Sequence, residues 1–98
     1  MSGGSEVQIL SHRQMLYYTY ILQSEKTGKL YIGQTSDLEH RLHLHNSNQV
    51  LSTKNKGPWK VLFCKTHLTR SEAMILETKL KAFKNKDRIL GWIQRQET

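Results

Sequence analysis

Two short segments rich in tyrosine and β-branched residues, separated by a polar stretch, constrain the fold of this chain more than any other feature. Residues 17–22 read YYTYIL and residues 29–32 read KLYI, and both compositions are typical of β-strands. The polar stretch 24–28 between them supplies a turn. The sequence therefore predicts a β-hairpin with a longer loop, and it predicts that the second strand ends at Gly33.

Side chains alternate along a strand, so the first predicted strand has two different faces. The residues of these faces are Tyr18, Tyr20 and Leu22 on one side, and Tyr17, Thr19 and Ile21 on the other. All four tyrosines of the chain lie within residues 17–31. The β-propensity of tyrosine is one explanation of this clustering, and a site built from phenol groups is the other.

A helix is predicted directly after the hairpin. Ser36 and Glu39 have the spacing of a capping box, which predicts a helix over residues 37 to about 45. Leu38 and Leu42 are four residues apart, so both should face the core.

The same helix carries several cationic or titratable side chains. Arg41 and His45 are also four residues apart and should project in one line from a neighbouring face. His40 and His43 share a different face, and Cys64 is the one cysteine of the chain. This spacing lacks the ligand pairs of a structural zinc site, so we do not predict one.

The second half of the chain predicts one more strand and two more helices. After a polar loop over residues 46–58, residues 59–64 read as a strand with Trp59, Val61 and Phe63 on one face. Thr69 and Glu72 form a second capping box at the start of a helix that runs to about residue 84. The apolar stripe of that helix consists of Ala73, Leu76, Leu80 and Phe83.

Asn85 is a candidate cap for the end of this helix, and residues 87–95 predict a last one. Its buried side chains should be Ile89, Trp92 and Ile93. The predicted fold is therefore α+β: a small three-stranded antiparallel sheet flanked by helices, in the order β-β-α-β-α-α.

Length and composition limit the alternatives. A chain of 98 residues predicts one domain, over residues 15–98, preceded over residues 1–14 by a poorly ordered leader or an upstream extension. No apolar run reaches the roughly 20 residues of a membrane span, and no secretory signal is evident. A single cysteine fits a reducing compartment, so the expected location is the cytoplasm. The absence of P-loop, GxGxxG and GxSxG patterns argues against a nucleotide cofactor and against a nucleophile-elbow hydrolase.

Basic residues are concentrated in one part of the chain. The formal net charge is +7, and residues 54–88 contain ten basic and three acidic side chains. This asymmetry predicts a polyanionic partner, with nucleic acid ahead of a membrane surface; a solvated basic face is the alternative. The candidate phosphate contacts are Lys54, Lys56, Lys60, Lys65, Lys81 and Lys84.

Glu77 occupies an unusual position for a charged residue. It lies at the edge of the apolar stripe, where a carboxylate is costly to bury unless it is paired or bound to a metal ion. Helix spacing alone favours an ion pair with Lys81, four residues later.

These residues, taken in order, resemble the GIY-YIG nuclease superfamily, and most closely its small single-domain bacterial members. The resemblance extends from about residue 17 to residue 93. Tyr20 matches the end of the first motif, and Tyr31 begins the second as Tyr31-Ile32-Gly33. The family's helical arginine falls on Arg41, a frequent histidine on His45, and the metal-binding glutamate on Glu77.

The resemblance implies a metal-dependent endonuclease that hydrolyses DNA phosphodiester bonds in repair, recombination or processing. Glu77 would hold one Mg²⁺ or Mn²⁺ ion, and Arg41 would bind the scissile phosphate. Tyr20 or Tyr31 would take a proton from the attacking water, and His45 would assist proton transfer or hold the phosphate. An asparagine that several family nucleases place after the glutamate helix is replaced here by Ile89. The alternative implied by that difference is a catalytically weak nucleic-acid-binding module. A further alternative is a subunit of a larger structure-specific nuclease.

Overall fold

A three-stranded antiparallel sheet organises the computed structural model, which describes residues 15–96. The strands are β1 Tyr17–Ser24, β2 Leu30–Thr35 and β3 Trp59–His67. β1 lies in the centre and pairs with β2 on one side and with β3 on the other. The predicted hairpin and the predicted antiparallel sheet are confirmed. The predicted leader, residues 1–14, lies outside the described residues.

Three α-helices complete the order β-β-α-β-α-α that the sequence predicts. They are α1 Leu38–Asn46, α2 Arg70–Ala82 and α3 Lys86–Gln96, and a short 3₁₀ helix at Leu51–Thr53 interrupts the loop before β3. Within residues 15–96, none of these helices has both the length and the apolar character needed to cross a bilayer.

The two faces of the sheet support two separate hydrophobic clusters, as the alternation along β1 predicts. One cluster consists of Ile21, Leu80, Ile89, Trp92 and Ile93, and brings α2 and α3 against the sheet. The other consists of Tyr20, Leu22 and Trp59, with Tyr31, Leu38 and Leu42 packed around them. Consecutive residues of β1 therefore belong to different clusters, and the second cluster underlies the candidate site.

A β-bulge makes one of the sequence predictions wrong. Ile21 pairs with Phe63 and Leu22 pairs with Val61, so Leu62 is an extra residue on β3. The bulge reverses the alternation of β3, and Phe63 packs with Ile21 while Trp59 packs on the opposite face. The prediction that Trp59, Val61 and Phe63 share one face fails because a strict period of two does not anticipate an inserted residue.

The hydrogen bonds at the helix ends correct two of the predicted caps and confirm a third. Asp37, rather than Ser36, caps α1: its Oδ1 accepts from the backbone N–H of His40 at 3.0 Å. The cap of α2 is confirmed, since Thr69 Oγ1 accepts from the N–H of Glu72 at 3.1 Å.

Asn85 caps α3 rather than ending α2, because its Oδ1 accepts from the N–H of Arg88 at 3.1 Å. α2 itself ends earlier than predicted, and Lys84 adopts a left-handed conformation at φ 52° in the connection between the helices. The predicted apolar stripe of α2 is confirmed. Ala73 and Leu80 are fully buried, and Leu76 and Phe83 pack against the hydrophobic cluster that contains Leu80.

Asn46 fastens the long loop to the sheet. Its Oδ1 accepts from the backbone N–H of Trp59 at 2.6 Å, and its Nδ2 donates to the Trp59 carbonyl at 3.2 Å. The Trp59 indole N–H in turn donates to the carbonyl of Thr53 at 3.3 Å. The end of α1, the 3₁₀ turn and the start of β3 are thereby held together.

Replacing this amide tests its role. We expect Asn46→Ala to lower the free energy of unfolding by about 1–3 kcal/mol, because both backbone groups of Trp59 lose their partner. Asn46→Asp keeps the hydrogen-bond acceptor but not the donor, so its free energy of unfolding should lie between those of the wild type and the alanine variant. Urea denaturation measures the difference, and an alanine variant as stable as the wild type would contradict the assignment.

Candidate active site

The site is built around the Tyr20 phenol at the centre of the sheet. Tyr20 is 1% exposed and pairs across the strands with Gly33. A Cβ placed on Gly33 would lie 2.5 Å from the Tyr20 Oη and 2.7 Å from its Cζ. The Tyr20 ring therefore crosses β2 only because position 33 has no side chain. This contact also corrects the prediction that β2 ends at Gly33, since the strand continues through it to Thr35.

A chain of hydrogen bonds leads from this phenol into the loop before β3. The Tyr20 Oη lies 3.2 Å from His45 Nε2, and His45 Nδ1 lies 2.8 Å from Thr53 Oγ1. The Thr53 hydroxyl donates to the carbonyl of Val50 at 3.3 Å. Because the single proton of Thr53 is used in that way, its oxygen accepts from His45 Nδ1–H. His45 Nε2 is then the acceptor for the Tyr20 hydroxyl, an assignment made from the hydrogen-bond network.

The electrostatics agree with this assignment. Burial raises the pKa of Tyr20 above its ordinary value, Tyr31 and Glu77 raise it further, and the Arg41 guanidinium opposes them. Burial also lowers the pKa of His45, and Arg41 lowers it further. A protonated phenol therefore faces a neutral imidazole, and neither group is accessible to solvent.

Tyr31 is the more accessible of the two motif tyrosines. It is half-buried and lines an open groove, and its ring centroid lies 4.8 Å from that of His45. The Tyr20 ring is 6.3 Å away and the Trp59 ring 6.4 Å. These aromatic neighbours hold the Tyr31 ring in the cluster that contains Tyr20 and Trp59.

Arg41 and Glu77 approach this tyrosine pair from different helices. Arg41 lies on α1, one turn before His45, and Glu77 lies on α2, one turn after Ala73. The Ala73 carbonyl accepts from the Thr19 hydroxyl at 2.8 Å, which holds α2 against β1. Both charges influence the pKa of Tyr20, so the fold brings together four residues that are far apart in sequence.

Glu77 forms the ion pair that helix spacing predicts. Its Oε2 lies 2.9 Å from Lys81 Nζ, and the glutamate side chain is 20% exposed. Within residues 15–96, no group of three or more histidine, cysteine or acidic side chains could hold a metal ion by itself. An accessible carboxylate without further protein ligands suits Mg²⁺ or Mn²⁺, which keep several waters and bind substrate phosphate oxygens. The donor set thus fits an open metal site rather than a closed one.

The predicted phosphate contacts fall into separate groups. Lys81 and Lys84 line the groove beside Tyr31, together with Lys29 and Lys86, which the sequence reading missed. Lys54 and Lys56 lie in the loop before β3, and Lys60 and Lys65 lie on β3 itself, on the far side of β1 from the groove.

Thr53 belongs to the site, whereas Ile89 belongs to the hydrophobic core. Thr53 was not singled out in the sequence, where it is one polar loop residue among many, yet it fixes the orientation of His45. Ile89 is 6% exposed within the core cluster, so its side chain is structural.

The sequence matches a known family across most of its length. A family model described as the GIY-YIG catalytic domain matches residues 16–89. That span contains the whole hydrogen-bond chain from Tyr20 to Thr53 as well as Arg41 and Glu77.

Similar proteins carry the family name UPF0213. One from Oceanobacillus iheyensis is 39% identical over 66 residues, covering 66% of this chain and 76% of that protein. Another, from Lactococcus lactis, is 46% identical over 63 residues, covering 62% and 59% respectively. The solution NMR structure of a UPF0213 protein from Bacillus halodurans is similar in fold, with a TM-score of 0.53 and 26% identity over 82% of this chain and 84% of that one.

The buried histidine has a pH signature. Since the folded protein holds the pKa of His45 below its ordinary value of 6.5, the unfolded chain binds a proton that the folded chain does not. The free energy of unfolding should therefore fall as the pH is lowered below about 6.5, by at most about 1.4 kcal/mol per pH unit, until the folded pKa is reached.

His45→Gln should remove this contribution. The stability difference between wild type and variant, measured by urea denaturation from pH 7.5 to pH 5, should shrink as the pH falls, because only the wild type loses the His45 contribution. A difference that is independent of pH would contradict the assignment.

Proposed function

Because this chain belongs to the GIY-YIG family, we propose that it is a metal-dependent endonuclease that hydrolyses DNA phosphodiester bonds. The GIY-YIG catalytic domain points to a nuclease, and therefore to nucleic acid as the substrate in general. The observation that carries the finer proposal is the cluster around one buried phenol. The Tyr20 Oη lies 3.2 Å from His45 Nε2, and the Tyr31 ring centroid lies 4.8 Å from that of His45. The charges of Arg41 and Glu77 both act on the pKa of Tyr20.

Arg41 would bind the scissile phosphate. Its guanidinium is half-buried, and its charge lowers the pKa of His45 and opposes the rise in the pKa of Tyr20. A planar fork of N–H donors matches phosphate oxygens in geometry and charge. This residue would position the phosphate and stabilise the negative charge that develops on it.

Glu77 would hold the metal ion, and the ion pair with Lys81 would open to make room for it. When bound, a Mg²⁺ or Mn²⁺ ion supplies charge neutralisation at the phosphate and assistance to the leaving oxygen. Lys81 is 57% exposed, so its ammonium is free to move towards a phosphate once Glu77 is engaged.

The two tyrosines would divide the remaining work. Tyr31 is half-buried whereas Tyr20 is 1% exposed, so Tyr31 is the phenol that water can reach; as the phenolate it would accept the proton of the attacking water. Tyr20 donates its own proton to His45 and is closed off from solvent, so we assign it to positioning Tyr31. His45 has both ring nitrogens in hydrogen bonds and would act through Tyr20 rather than on the phosphate.

Attack by water opposite the leaving oxygen would give a 5′-phosphate and a 3′-hydroxyl, in DNA repair, recombination or processing. The competing proposal is a catalytically weak binding module or a subunit of a larger nuclease. It is favoured by Ile89, which occupies the place of a family asparagine and is buried in the core. Cleavage assays decide between the two.

Removing the carboxylate of Glu77 is the decisive test of the metal assignment. Glu77→Ala should abolish the cleavage of labelled single-stranded, duplex and branched DNA in Mg²⁺, and EDTA should do the same to the wild type. Glu39→Ala, which removes an exposed carboxylate from α1, is the matched control and should keep cutting. Cleavage by Glu77→Ala at the wild-type rate would contradict the proposal, and a folded wild type without activity on any substrate would favour the binding module.

The division between the tyrosines is tested separately. Tyr31→Phe should lower the single-turnover cleavage rate by about 10²–10⁴-fold, the range typical of a lost general base. Tyr20→Phe keeps the ring on Gly33 and should lower the rate much less. Equal losses in both variants, with both folded, would contradict the assignment of the base to Tyr31.

A further inference from the structure

A groove beside the candidate site combines an apolar floor with a cationic rim. It has a volume of about 440 Å³ and lies between β2 and the corner where α2 meets α3. Its apolar floor is lined by Leu30, Ile32, Leu80 and Ile89, and the accessible part belongs to Leu30 and Ile32, because Leu80 and Ile89 are buried. Its rim carries Lys29, Lys81, Lys84 and Lys86. Tyr31 also lines the groove, and the Lys81–Glu77 ion pair joins the rim to the candidate site.

We propose that this groove binds an unpaired nucleotide next to the bond that is cut. The base would lie on the apolar floor, and the phosphates on either side of it would contact the rim lysines. The inference rests on the proposed nuclease function and extends it, since it names the binding site and the strandedness of the substrate.

The charge of the rim supports a polyanionic occupant. Lys29, Lys84 and Lys86 are exposed, and the one salt bridge of the groove joins Lys81 to Glu77. Four ammonium groups around one groove repel each other, and this repulsion is relieved when phosphates bind and counterions are released.

The apolar floor distinguishes a single strand from a duplex. In a duplex the bases are paired and stacked, so only the sugar-phosphate backbone would meet the groove, and the apolar floor would have no complementary surface. An unpaired base presents its flat faces, which proteins that bind single strands receive on apolar and aromatic side chains inside a positively charged groove.

The backbone at Lys84 gives an independent reason to assign a function to the rim. Lys84 has φ 52°, a left-handed conformation that glycine adopts far more easily than a residue with a side chain. Glycine is the usual residue at such a position after a helix, and here a lysine occupies it and faces the groove. Unfavourable backbone conformations of this kind cluster at functional sites.

The first experiment compares three probes with the wild-type protein in EDTA, so that no cleavage intervenes. Fluorescence anisotropy would measure binding of a labelled 12-nucleotide oligothymidylate, an abasic oligomer of the same length, and a duplex of the same length. We expect the oligothymidylate to bind at least tenfold more tightly than the abasic oligomer, which has the phosphates but not the bases. Equal affinities for these two, or a preference for the duplex, would overturn the proposal.

The second experiment changes the rim. In Lys84→Gly and Lys86→Gln the affinity for the oligothymidylate should fall about fourfold each at 0.15 M salt, and the slope of log K against log [salt] should become shallower by about 0.7 each. Lys79→Gln, which removes an exposed charge from α2 outside the groove, is the matched control and should change neither.

Lys84→Gly also separates binding from folding. Its melting temperature should equal or exceed that of the wild type, because glycine relieves the left-handed backbone, while its affinity falls. If Lys84→Gly folds normally and its affinity for the oligothymidylate is unchanged, the proposal for the groove is wrong, whether or not the protein cleaves DNA. Conversely, a groove with the expected probe preference but no cleavage in Mg²⁺ would contradict the nuclease proposal alone.

Discussion

The contact between the Tyr20 phenol and the bare backbone of Gly33 is the constraint on which the rest of the site depends. A Cβ at position 33 would overlap the Tyr20 hydroxyl, so the ring reaches across β2 only over a glycine. In that position the Tyr20 hydroxyl is hydrogen-bonded to His45, and His45 is hydrogen-bonded to Thr53. The hairpin, α1 and the loop before β3 are thus tied to one side chain, and Tyr31 is held beside it.

This arrangement separates two phenols that look equivalent in the sequence. Tyr20 is desolvated and bonded to a neutral imidazole, which keeps its proton in place. Tyr31 lies one strand further out and is half-buried, so water can reach it. The difference arises from sheet position: β1 is central and covered on both faces, whereas β2 is an edge strand. This difference in burial is the basis of our proposal that Tyr20 positions Tyr31 and that Tyr31 carries the chemistry.

Local signals in the sequence were sufficient for most of the fold. The alternation along β1, the Thr69 cap and the stripe of α2 are short-range patterns with one structural solution, and all are confirmed. The errors have separate physical causes. Leu62 is inserted as a bulge, Gly33 stays within a strand because Tyr20 needs the space, and Asn85 bonds forwards to Arg88 instead of ending α2.

By itself the sequence determined the elements, their order, the family and the set of candidate residues, because periodicity and motif spacing are properties of neighbouring positions. Only the tertiary structure decided which tyrosine is buried, which tautomer of His45 is present, and that Lys29 joins Lys81 and Lys84 around one groove. These properties depend on which side chains pack together in the folded protein and are thereby shielded from water. Lys29 and Lys84 are 55 positions apart in the chain, so no local pattern relates them; their proximity follows from packing α2 against the sheet.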